Sequence, residues 1–503
     1  MEHQILSFPA LFSFLLFLLV LLKVSKKLYK HDSNPPPGPW KLPFLGNILQ
    51  LAGDTFHRRL TELAKTHGPV MSINVGQIPY VVVSSPETAK EVMKIQDPVF
   101  ADHPVVLAAE VILYSPYDIF FAPYGDHLKQ MRKFCTVELL STKRVQSFRS
   151  VREEEVADFV KFLRSKEGSS VNLTHTLFAL TNSIVARTAV GHRSKNQEGL
   201  LKVIDEAVLA SSGVNIADIF PSLQWLPSVK RERSRIWKTH RETDKILEDV
   251  LQEHRANRKA AVPKNGDQSQ ADNLLDVLLD LQESGNLDVP LPDAAIKGTI
   301  MEMFGAGSDT SSKTVEWAMA ELMRNPEVMR KAQEELRSFF GENGEVEDAK
   351  IQELKCLKLI IKETLRLHPP GAVIPRLCRE RTKVAGYDIY PNTKIFVNTW
   401  AIGRDPEIWS EAEKFNPDRF IDSSIDYKGN NFELIPFGAG RRICPGITLA
   451  SANMELFLAN LLYHFDWKFP QGITAENLDM NECFGGAVKR KVDLELIPIP
   501  FRT

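Results

Sequence analysis

The residues best suited to chemistry lie in a glycine-rich, basic segment near the C-terminus that contains one cysteine. It reads Pro-Phe-Gly-Ala-Gly-Arg-Arg-Ile-Cys-Pro-Gly, residues 436–446, and an apolar stretch with helical pattern follows from Ile447 to about Leu462. Cys444 therefore precedes a helix N-terminus, whose partial positive charge favours a thiolate. Glycines let the backbone approach a flat ligand, and Arg442 offers a fork of donors for a carboxylate. A buried structural cysteine and a catalytic thiol of the Cys–His type are the alternatives.

A second unusual segment lies inside a long predicted helix that begins at Asp293, as its N-cap, and ends before Asn325-Pro326. Its centre, residues 304–310, reads Phe-Gly-Ala-Gly-Ser-Asp-Thr. Two glycines inside a helix cost about 1 kcal/mol each relative to alanine, so they indicate a packing or functional requirement. Small residues would let a bulky group lie there, beside the carboxylate of Asp309 and the hydroxyl of Thr310. A helix crossing with Asp309 at the surface explains the same residues.

Charged residues within apolar surroundings form a third group. Glu363 and Arg366 are spaced i, i+3 on one face of a predicted helix and have leucine and isoleucine neighbours. An exposed pair of this kind contributes only about 0.2–0.5 kcal/mol, whereas a buried pair is better interpreted as fixing geometry. The segment Phe415–Phe420 brings a second arginine, Arg419, that could complete a triad.

Composition narrows the class of protein. The chain has 503 residues, 43% of them hydrophobic and 25% charged, which excludes a wholly disordered chain or a polytopic membrane protein. With 62 basic and 64 acidic residues, there is no global electrostatic case for a nucleic-acid partner. Five cysteines cannot form a disulfide framework and fit a reducing, cytosol-facing compartment.

The N-terminus predicts a membrane anchor. Residues Ile5 to Leu22 carry no charge, and lysines follow them at positions 23, 26, 27 and 30. At about 1.5 Å rise per residue, this run spans the hydrocarbon core of an endoplasmic-reticulum membrane. The lysines predict a lumenal N-terminus and a cytosolic body, and no cleavage pattern follows. We expect an anchor at residues 1–31, a proline-rich hinge at 32–40 and one domain at 41–503.

Helical periodicity dominates the body of the chain. The stretch Thr239 to Arg258 is typical of an amphipathic surface helix. Strand patterns are few: Val70 to Val75 and Tyr80 to Val83 flank a Gly76–Pro79 turn, and Lys394 to Asn398 follows a Pro-Asn pair. The expected fold class is therefore mainly α with a minor β-sheet subdomain.

Taken together, these segments resemble the cytochrome P-450 haem-thiolate monooxygenases of the plant microsomal type. The resemblance runs from the proline-rich hinge at Pro35–Trp40 to a Phe-Gly-Gly turn at residues 484–486, and four motifs occur in the family's order. It implies the cytochrome P-450 fold and haem b, with Cys444 as the axial thiolate of the iron. A thiolate ligand favours cleavage of the O–O bond.

The resemblance also implies roles for other residues, grouped by what they would contact. Two would deliver protons for the cleavage of O2, four would shape the cysteine loop, three would bind the haem propionates and three would form a structural triad. These groups are, in order, Asp309 and Thr310; Phe437, Gly438, Gly440 and Gly446; Arg132, Arg376 and Arg442; and Glu363, Arg366 and Arg419.

Three positions depart from the family pattern. Leu128 replaces a tryptophan that the family usually places four residues before Arg132, so haem affinity or orientation could be softened. Asp418 stands where glutamate is usual, a change of one methylene that we expect to be minor. Cys356 occupies a place where related sequences commonly carry tyrosine.

The substrate follows only from the resemblance. The chain is similar to spurge-family enzymes that oxidise macrocyclic diterpenes of the casbene type, while a related enzyme that epoxidises fatty acids supplies the alternative. The implied pocket residues are mostly aliphatic, which fits a hydrophobic substrate. They are Val111, Ala306, Ala372, Val373, Ile374 and Phe484. The segment Pro221–Leu226 would dip into the bilayer, or else Trp225 would pack in the core.

Electrons are expected from a separate membrane-bound NADPH-cytochrome P-450 reductase, because the sequence has no flavin or nicotinamide fingerprint of its own. Exposed basic residues such as Lys129, Lys133 and Arg441 could dock it, or could be ordinary solvated charges. Two other functions stay open: a haem-binding sensor or electron carrier, and a haem-thiolate isomerase or dehydratase that needs no O2. A carrier would not need the Asp309–Thr310 pair.

Overall fold

Helices make up most of the chain, as its apolar periodicity predicts. The structure is a computed structural model that describes residues 33–53, 55–191, 215–260, 273–285, 287–341 and 344–502, together with Ser13 and Phe17. The α-helices are α1 (Ile48–Leu51), α2 (Phe56–His67), α3 (Pro86–Lys90), α4 (Leu107–Ile112), α5 (Asp126–Lys133), α6 (Thr142–Ser147), α7 (Arg149–Ser165), α8 (Leu173–Val190), α9 (Ile216–Ile219), α10 (Pro227–Ala260), α11 (Leu274–Ser284), α12 (Asp293–Arg324), α13 (Pro326–Phe340), α14 (Lys355–Leu367), α15 (Thr399–Ile402) and α16 (Ile447–His464).

The strands are short and belong to four small sheets. In chain order they are β1 (Val70–Val75), β2 (Ile78–Val83), β3 (Val171–Asn172), β4 (Val373–Leu377), β5 (Thr382–Val384), β6 (Tyr387–Ile389), β7 (Lys394–Asn398), β8 (Phe465–Lys468), β9 (Glu482–Gly485), β10 (Ala487–Arg490) and β11 (Glu495–Pro500). In the described part of the chain the sheet orders are β1-β2-β7-β4, β3-β11-β8, β5-β6 and β9-β10; the β2–β7 pair is parallel and the other pairs there are antiparallel.

Helix α12 organises the body because it takes part in two hydrophobic clusters. Its first half packs with α4, α8, α10 and α11 in a cluster that includes Phe304, and its second half packs with α7, α13, α14 and α16 in a cluster that includes Met319. The predicted C-terminal end is confirmed at Arg324, and α13 follows directly from Pro326. Asp293 is not the N-cap, because the helix already begins at this residue; its carboxylate accepts hydrogen bonds from Arg255 and Gln282.

The first hairpin differs slightly from the sequence prediction. Strand β2 begins at Ile78, because Ile78 and Pro79 still pair with Val75 and Asn74, so the turn is Gly76–Gln77 only. The remaining predictions hold: β7 covers Lys394–Asn398, and the amphipathic stretch lies within α10. Helix α16 begins at Ile447, as expected, and continues two residues beyond Leu462.

The predicted membrane anchor at residues 5–22 lies outside the described residues except for Ser13 and Phe17. Among the residues that the structure describes, none of the helices is both long enough and apolar enough to cross a bilayer.

Candidate active site around Cys444

The segment around Cys444, the thiolate loop (residues 436–446), is a tight turn before α16. The backbone N–H of Cys444 donates to the carbonyl of Phe437 at 2.9 Å, which closes the loop. Gly438 and Gly440 have φ values of 72° and 70°, a region that favours glycine. The cysteine side chain thus lies immediately before the helix N-terminus, as the sequence predicts.

The loop is held against an N-terminal segment. A Cβ atom on Gly440 would lie only 2.0 Å from the carbonyl oxygen of Met93 and 2.8 Å from Oδ2 of Asp97. The next residue, Arg441, donates its backbone N–H to the same Asp97 oxygen at 2.7 Å. Only glycine fits at position 440, so its role in shaping the loop follows from a close backbone approach.

Burial and nearby positive groups act in opposite directions on the pKa of the Cys444 thiol. Burial raises the pKa of the thiol, while a hydrogen bond from the Gly446 N–H and the charge of Arg132 lower it without reversing the shift. The helix terminus and the arginine therefore stabilise a thiolate only in part. A metal cation bound to the sulfur would supply the missing stabilisation, because coordinating thiols are deprotonated.

Three arginines supply positive charge beside the loop. Arg376 is 1% exposed, and burial together with Arg442 lowers its pKa to about 9. Its Nη1 contacts Nε2 of His103 at 2.8 Å, while its Nε is buried without a protein partner. Burial also lowers the pKa of Arg132, and it lowers that of Arg442 to about 10. A cluster of this kind, with an unpaired N–H, fits carboxylate groups such as the two propionates of haem.

Arg442 has a second task that the sequence does not reveal. Its guanidinium donates to the carbonyls of Ala101 and Ala122, and to those of Ile119 and Phe120 at 3.2 Å each. Arg442 therefore holds the segment before α5 against the thiolate loop, and its predicted contact with a propionate stays a prediction.

The segment before α5 is also hydrogen-bonded to Glu302 of α12. Oε2 and Oε1 of Glu302 accept the backbone N–H groups of Ile119 and Phe120, at 2.8 Å each. Burial and the neighbouring carboxylate of Asp118 raise the pKa of Glu302 well above its usual range. Sequence reasoning missed Glu302 and Asp118; the available signal was an acidic residue within the apolar helix stretch Ile300–Phe304.

The centre of helix α12 has one exposed residue, Ala306. Its neighbours Gly305 and Gly307 are half-buried, whereas the Ala306 side chain is accessible. A Cβ on Gly307 would lie 3.2 Å from Val185, so this glycine serves the packing of α12 against α8. The helix-crossing interpretation therefore applies to Gly307, while a bulky group beside the other small residues stays a prediction.

The predicted proton-relay residues lie at the centre of α12. The Thr310 hydroxyl donates to the carbonyl of Ala306 at 2.7 Å. The Asp309 carboxylate accepts a hydrogen bond from Lys313, one turn later, and is about a quarter exposed. Lys313 is a neighbour that the sequence analysis did not include, although its i, i+4 spacing predicts the ion pair.

The predicted structural triad forms as expected. Glu363 is fully buried and accepts Nε and Nη2 of Arg366 at 2.7 and 2.8 Å, and Nε of Arg419 at 2.9 Å. Both arginines also donate to backbone carbonyls between residues 403 and 414. The triad therefore fixes the path of the chain that leads to the thiolate loop.

The predicted pocket residues are spread over several elements. Ile374 lies beside the thiolate loop, since its Cδ1 is 3.5 Å from a Cβ placed on Gly438. Val111 joins the cluster of Phe304, and Val373 is half-buried on β4. Ala372 is only 1% exposed and packs with Trp400 and Val488, so its side chain lies in the protein interior. Phe484 is 41% exposed.

The three departures from the family pattern have different surroundings. Leu128 is 1% exposed on α5, one turn before Arg132. Asp418 lies at the surface, where its carboxylate is 3.3 Å from Lys331, in agreement with a minor effect. Burial raises the pKa of the Cys356 thiol to about 12.

These surroundings together define a site for a group that carries both a metal cation and carboxylates. Cys444 offers the sulfur, the buried arginines offer charge for carboxylates, and α12 offers an accessible position at Ala306. The described residues thus fit an iron porphyrin bound through a thiolate.

The chain belongs to the cytochrome P450 family, whose model matches residues 35–496. It is therefore a haem-thiolate monooxygenase. It is 60% identical to Cytochrome P450 726A27 of Euphorbia lathyris, over 100% of this chain and 99% of that protein. It is 46% identical to premnaspirodiene oxygenase of Hyoscyamus muticus, over 99% of each. A zebra fish cytochrome P450 solved with abiraterone shares the fold, with a TM-score of 0.74, 24% identity and coverage of 89% of this chain and 99% of that chain.

Proposed function

We propose that this monooxygenase is anchored in the endoplasmic-reticulum membrane and inserts oxygen into a hydrophobic terpenoid, with a macrocyclic diterpene such as casbene as substrate. The supporting observation is that both carboxylates near Ala306 on α12 already have protein partners. Glu302 accepts two backbone N–H groups, and Asp309 accepts Lys313. What remains for a substrate at Ala306 and Ile374 is apolar, and an apolar surface recognises a hydrocarbon.

The relatives support oxygenation of a small organic molecule. Their names include premnaspirodiene oxygenase of Hyoscyamus muticus and tabersonine 16-hydroxylase 2 of Catharanthus roseus, both 46% identical to this chain. The higher identity, 60%, to a cytochrome P450 from a spurge supports the choice of a spurge-type diterpene. Further oxidation to a ketone belongs to the same proposal.

In this proposal, Cys444 ligates the iron, and Arg132, Arg376 and Arg442 bind the propionates. Haem, when bound, supplies the iron centre that activates O2. The chain's own task would be proton delivery, by Thr310 and Asp309. Thr310 keeps its oxygen free to accept a hydrogen bond while its hydroxyl donates to Ala306.

Lys313 orients the Asp309 carboxylate, which is 26% exposed to solvent. Asp309 then passes protons toward Thr310, the next residue on the helix. A haem protein that only senses ligands or carries electrons would not need this pair.

An apolar surface supports contact with the bilayer. Trp225 is 67% exposed, so the alternative that it packs in the core is wrong. Phe44, just after the proline-rich hinge, stacks on Phe220 with ring centroids 4.9 Å apart. The segment around Trp225 and the hinge therefore lie together. The stacking of Phe44 on Phe220 and the exposure of Trp225 support the proposal that this apolar surface contacts the bilayer.

The reductase partner is proposed from charge beside the thiolate loop. The side chain of Arg441 is 52% exposed, and that of Lys129 is 55% exposed. Lys133 is exposed at the end of α5, in the same region. A separate NADPH-dependent reductase with an acidic face would be attracted by these residues.

The experiment is NADPH-dependent turnover in microsomes that contain the full chain, a reductase and casbene, with ¹⁸O₂ as the oxygen source. We expect products that carry ¹⁸O, detected by mass spectrometry, and none with Cys444→Ala. Products without label would contradict monooxygenation. A normal thiolate-type carbon monoxide spectrum without any casbene product would reject the diterpene. Linoleic acid as second substrate tests the fatty-acid alternative.

A further inference from the structure

A fully buried carboxylate lies at the start of β9, the strand that carries Phe484. The Glu482 side chain is 0% exposed and contacts Nε2 of His57 at 2.9 Å and Nε of Arg58 at 2.8 Å. Nδ1 of His368 is 3.4 Å away. Burial alone would raise the pKa of Glu482, but the hydrogen bonds from His368 and His57 outweigh it and hold the pKa far below its usual range.

The contacts continue to α12. Nε2 of His368 lies 2.8 Å from Oε1 of Glu321, and the His368 ring stacks on Trp317 with centroids 3.9 Å apart and planes 2° from parallel. The buried network His57–Glu482–His368–Glu321, here called the hairpin anchor, therefore joins α2, β9, the end of α14 and α12.

The hairpin anchor acts at the root of the β9–β10 hairpin. In the antiparallel register of β9 and β10, Glu482 lies opposite Arg490. The Nε atom of Arg490 is 3.5 Å from Oε1 of Glu316 on α12. Toward the tip the surroundings open: a Cβ on Gly485 would meet nothing within 4 Å. The root is thus fixed by charged groups on both strands, while Phe484 and the tip have room beside them.

Glu482 and Phe484 point to the same face of β9, because alternate residues of a strand share a face. His57 contacts both: its ring centroid is 6.2 Å from that of Phe484, and its Nε2 binds Glu482. Phe56 adds a second ring contact with Phe484 at 5.7 Å. The position of Phe484 thus depends on a ring that Glu482 holds in place.

We propose that Glu482 is a positioning residue for substrate selectivity: through His57 and the hairpin root it sets how far Phe484 reaches over the substrate. This proposal rests on the proposed function, in which Phe484 is a predicted pocket residue. It concerns which part of a bulky hydrophobic substrate is presented for oxidation. Glu482 does not touch the substrate; its effect passes through Phe484.

The test compares a bulky azole, clotrimazole, with imidazole in the full-length holoenzyme. Both bind the haem iron, so the ratio of their spectral dissociation constants isolates the shape of the pocket. We expect Glu482→Gln and Phe484→Leu to change this ratio in the same direction, by about threefold or more, a difference of about 0.7 kcal/mol. The double variant should add little to either single change, because the two residues act together.

Glu155→Gln is the matched control. Glu155, on α7, is 5% exposed and pairs at 3.0 Å with Arg187 of α8, which is 21% exposed, so this variant also removes the charge of a buried carboxylate from an ion pair. We expect it to lower the thermal midpoint without changing the azole ratio. If Glu482→Gln fails to fold, Arg58→Gln removes one donor from the same carboxylate at a side chain that is 41% exposed.

An azole ratio unchanged within twofold in Glu482→Gln, or in Arg58→Gln if that replaces it, would overturn the proposal, as would fully additive effects with Phe484→Leu. The azole measurement needs neither turnover nor a known substrate. Failure of casbene oxidation would therefore reject the proposed substrate while this result still stood, and the two failures are distinguishable.

Discussion

Gly440→Ala should disrupt the thiolate loop far more than an alanine at a glycine of similar backbone conformation elsewhere. Gly440 has φ 70°, and Gly472, in an exposed turn after β8, has φ 85°. Left-handed backbone costs a non-glycine residue roughly 1–2 kcal/mol. Alanine also lowers the conformational entropy of the unfolded chain relative to glycine, which stabilises the folded protein by about 0.4–1 kcal/mol. The backbone contribution is therefore similar at both positions and small.

The difference between the two positions lies in what the new methyl group would meet. At Gly472 it would meet nothing within 4 Å, whereas at Gly440 it would lie 2.0 Å from the backbone carbonyl oxygen of Met93. Ordinary carbon–oxygen contacts begin near 3.3 Å, so the loop must move by about 1.3 Å. That movement breaks the 2.7 Å hydrogen bond from Arg441 N–H to Asp97, which costs about 1–3 kcal/mol more.

The assay measures the thermal midpoint and the thiolate-type, red-shifted Soret band of the reduced carbon monoxide complex for both variants. We expect Gly472→Ala to keep the band and nearly the wild-type midpoint. Gly440→Ala should lose most of the band, because Cys444 is four residues away. Equal midpoints together with an intact band in Gly440→Ala would refute the argument from close approach.

Other expected outcomes concern the relay, the triad, the buried carboxyl pair and the family departure. Thr310→Ala should divert NADPH-derived electrons into hydrogen peroxide while Thr310→Ser should not, as a peroxide assay would show; equal peroxide yields would argue against the relay. Glu363→Gln removes the charge that two buried arginines share, so we expect a loss of about 3–5 kcal/mol in unfolding free energy and poor haem incorporation; normal haem content would contradict this. Burial and Asp118 raise the pKa of Glu302 in the folded state above the unfolded-state value of 4.5. Its contribution to stability is therefore fully present below pH 4.5 and is lost as pH rises through the folded-state pKa, by about 1.4 kcal/mol for each unit by which the two pKa values differ. Glu302→Gln should flatten the fall of the thermal midpoint with rising pH, and an unchanged slope would count against the assignment. Leu128→Trp should slow haem loss to apomyoglobin yet lower the thermal midpoint, since Leu128 is 1% exposed and overpacking costs about 1–3 kcal/mol; an unchanged rate would show that the leucine is harmless.

Structural features that depend on residues close together in the sequence could be predicted. The end of α12 at Arg324 follows from Asn325-Pro326, and the position of Cys444 before α16 follows from a glycine-rich segment and an apolar helix. The triad could be anticipated because Glu363 and Arg366 are spaced i, i+3 within apolar surroundings. The Glu363–Arg366 contact is local, whereas Arg419 joins the triad from 56 residues away and could be proposed only as a candidate.

Features that depend on distant pairing were not predictable. Glu302 binds N–H groups 183 and 182 residues away, and Glu482 contacts His368 across 114 residues. Nothing local distinguishes such buried carboxylates from surface ones until the tertiary packing brings their donors together. The same reason hides the second task of Arg442, whose four acceptors are backbone carbonyls without any sequence signature.

The attachment of the thiolate loop to the N-terminal part of the chain constrains biosynthesis. The Arg441–Asp97 hydrogen bond joins residues 344 positions apart. At about 5–20 residues per second, a ribosome needs roughly 17–70 s to synthesise the stretch between them. During that interval the segment around Asp97 has no thiolate loop to pair with. Haem acquisition is therefore expected to follow synthesis of the thiolate loop, and a ribosome-stalled fragment that ends before Cys444 should emerge without a thiolate-bound cofactor.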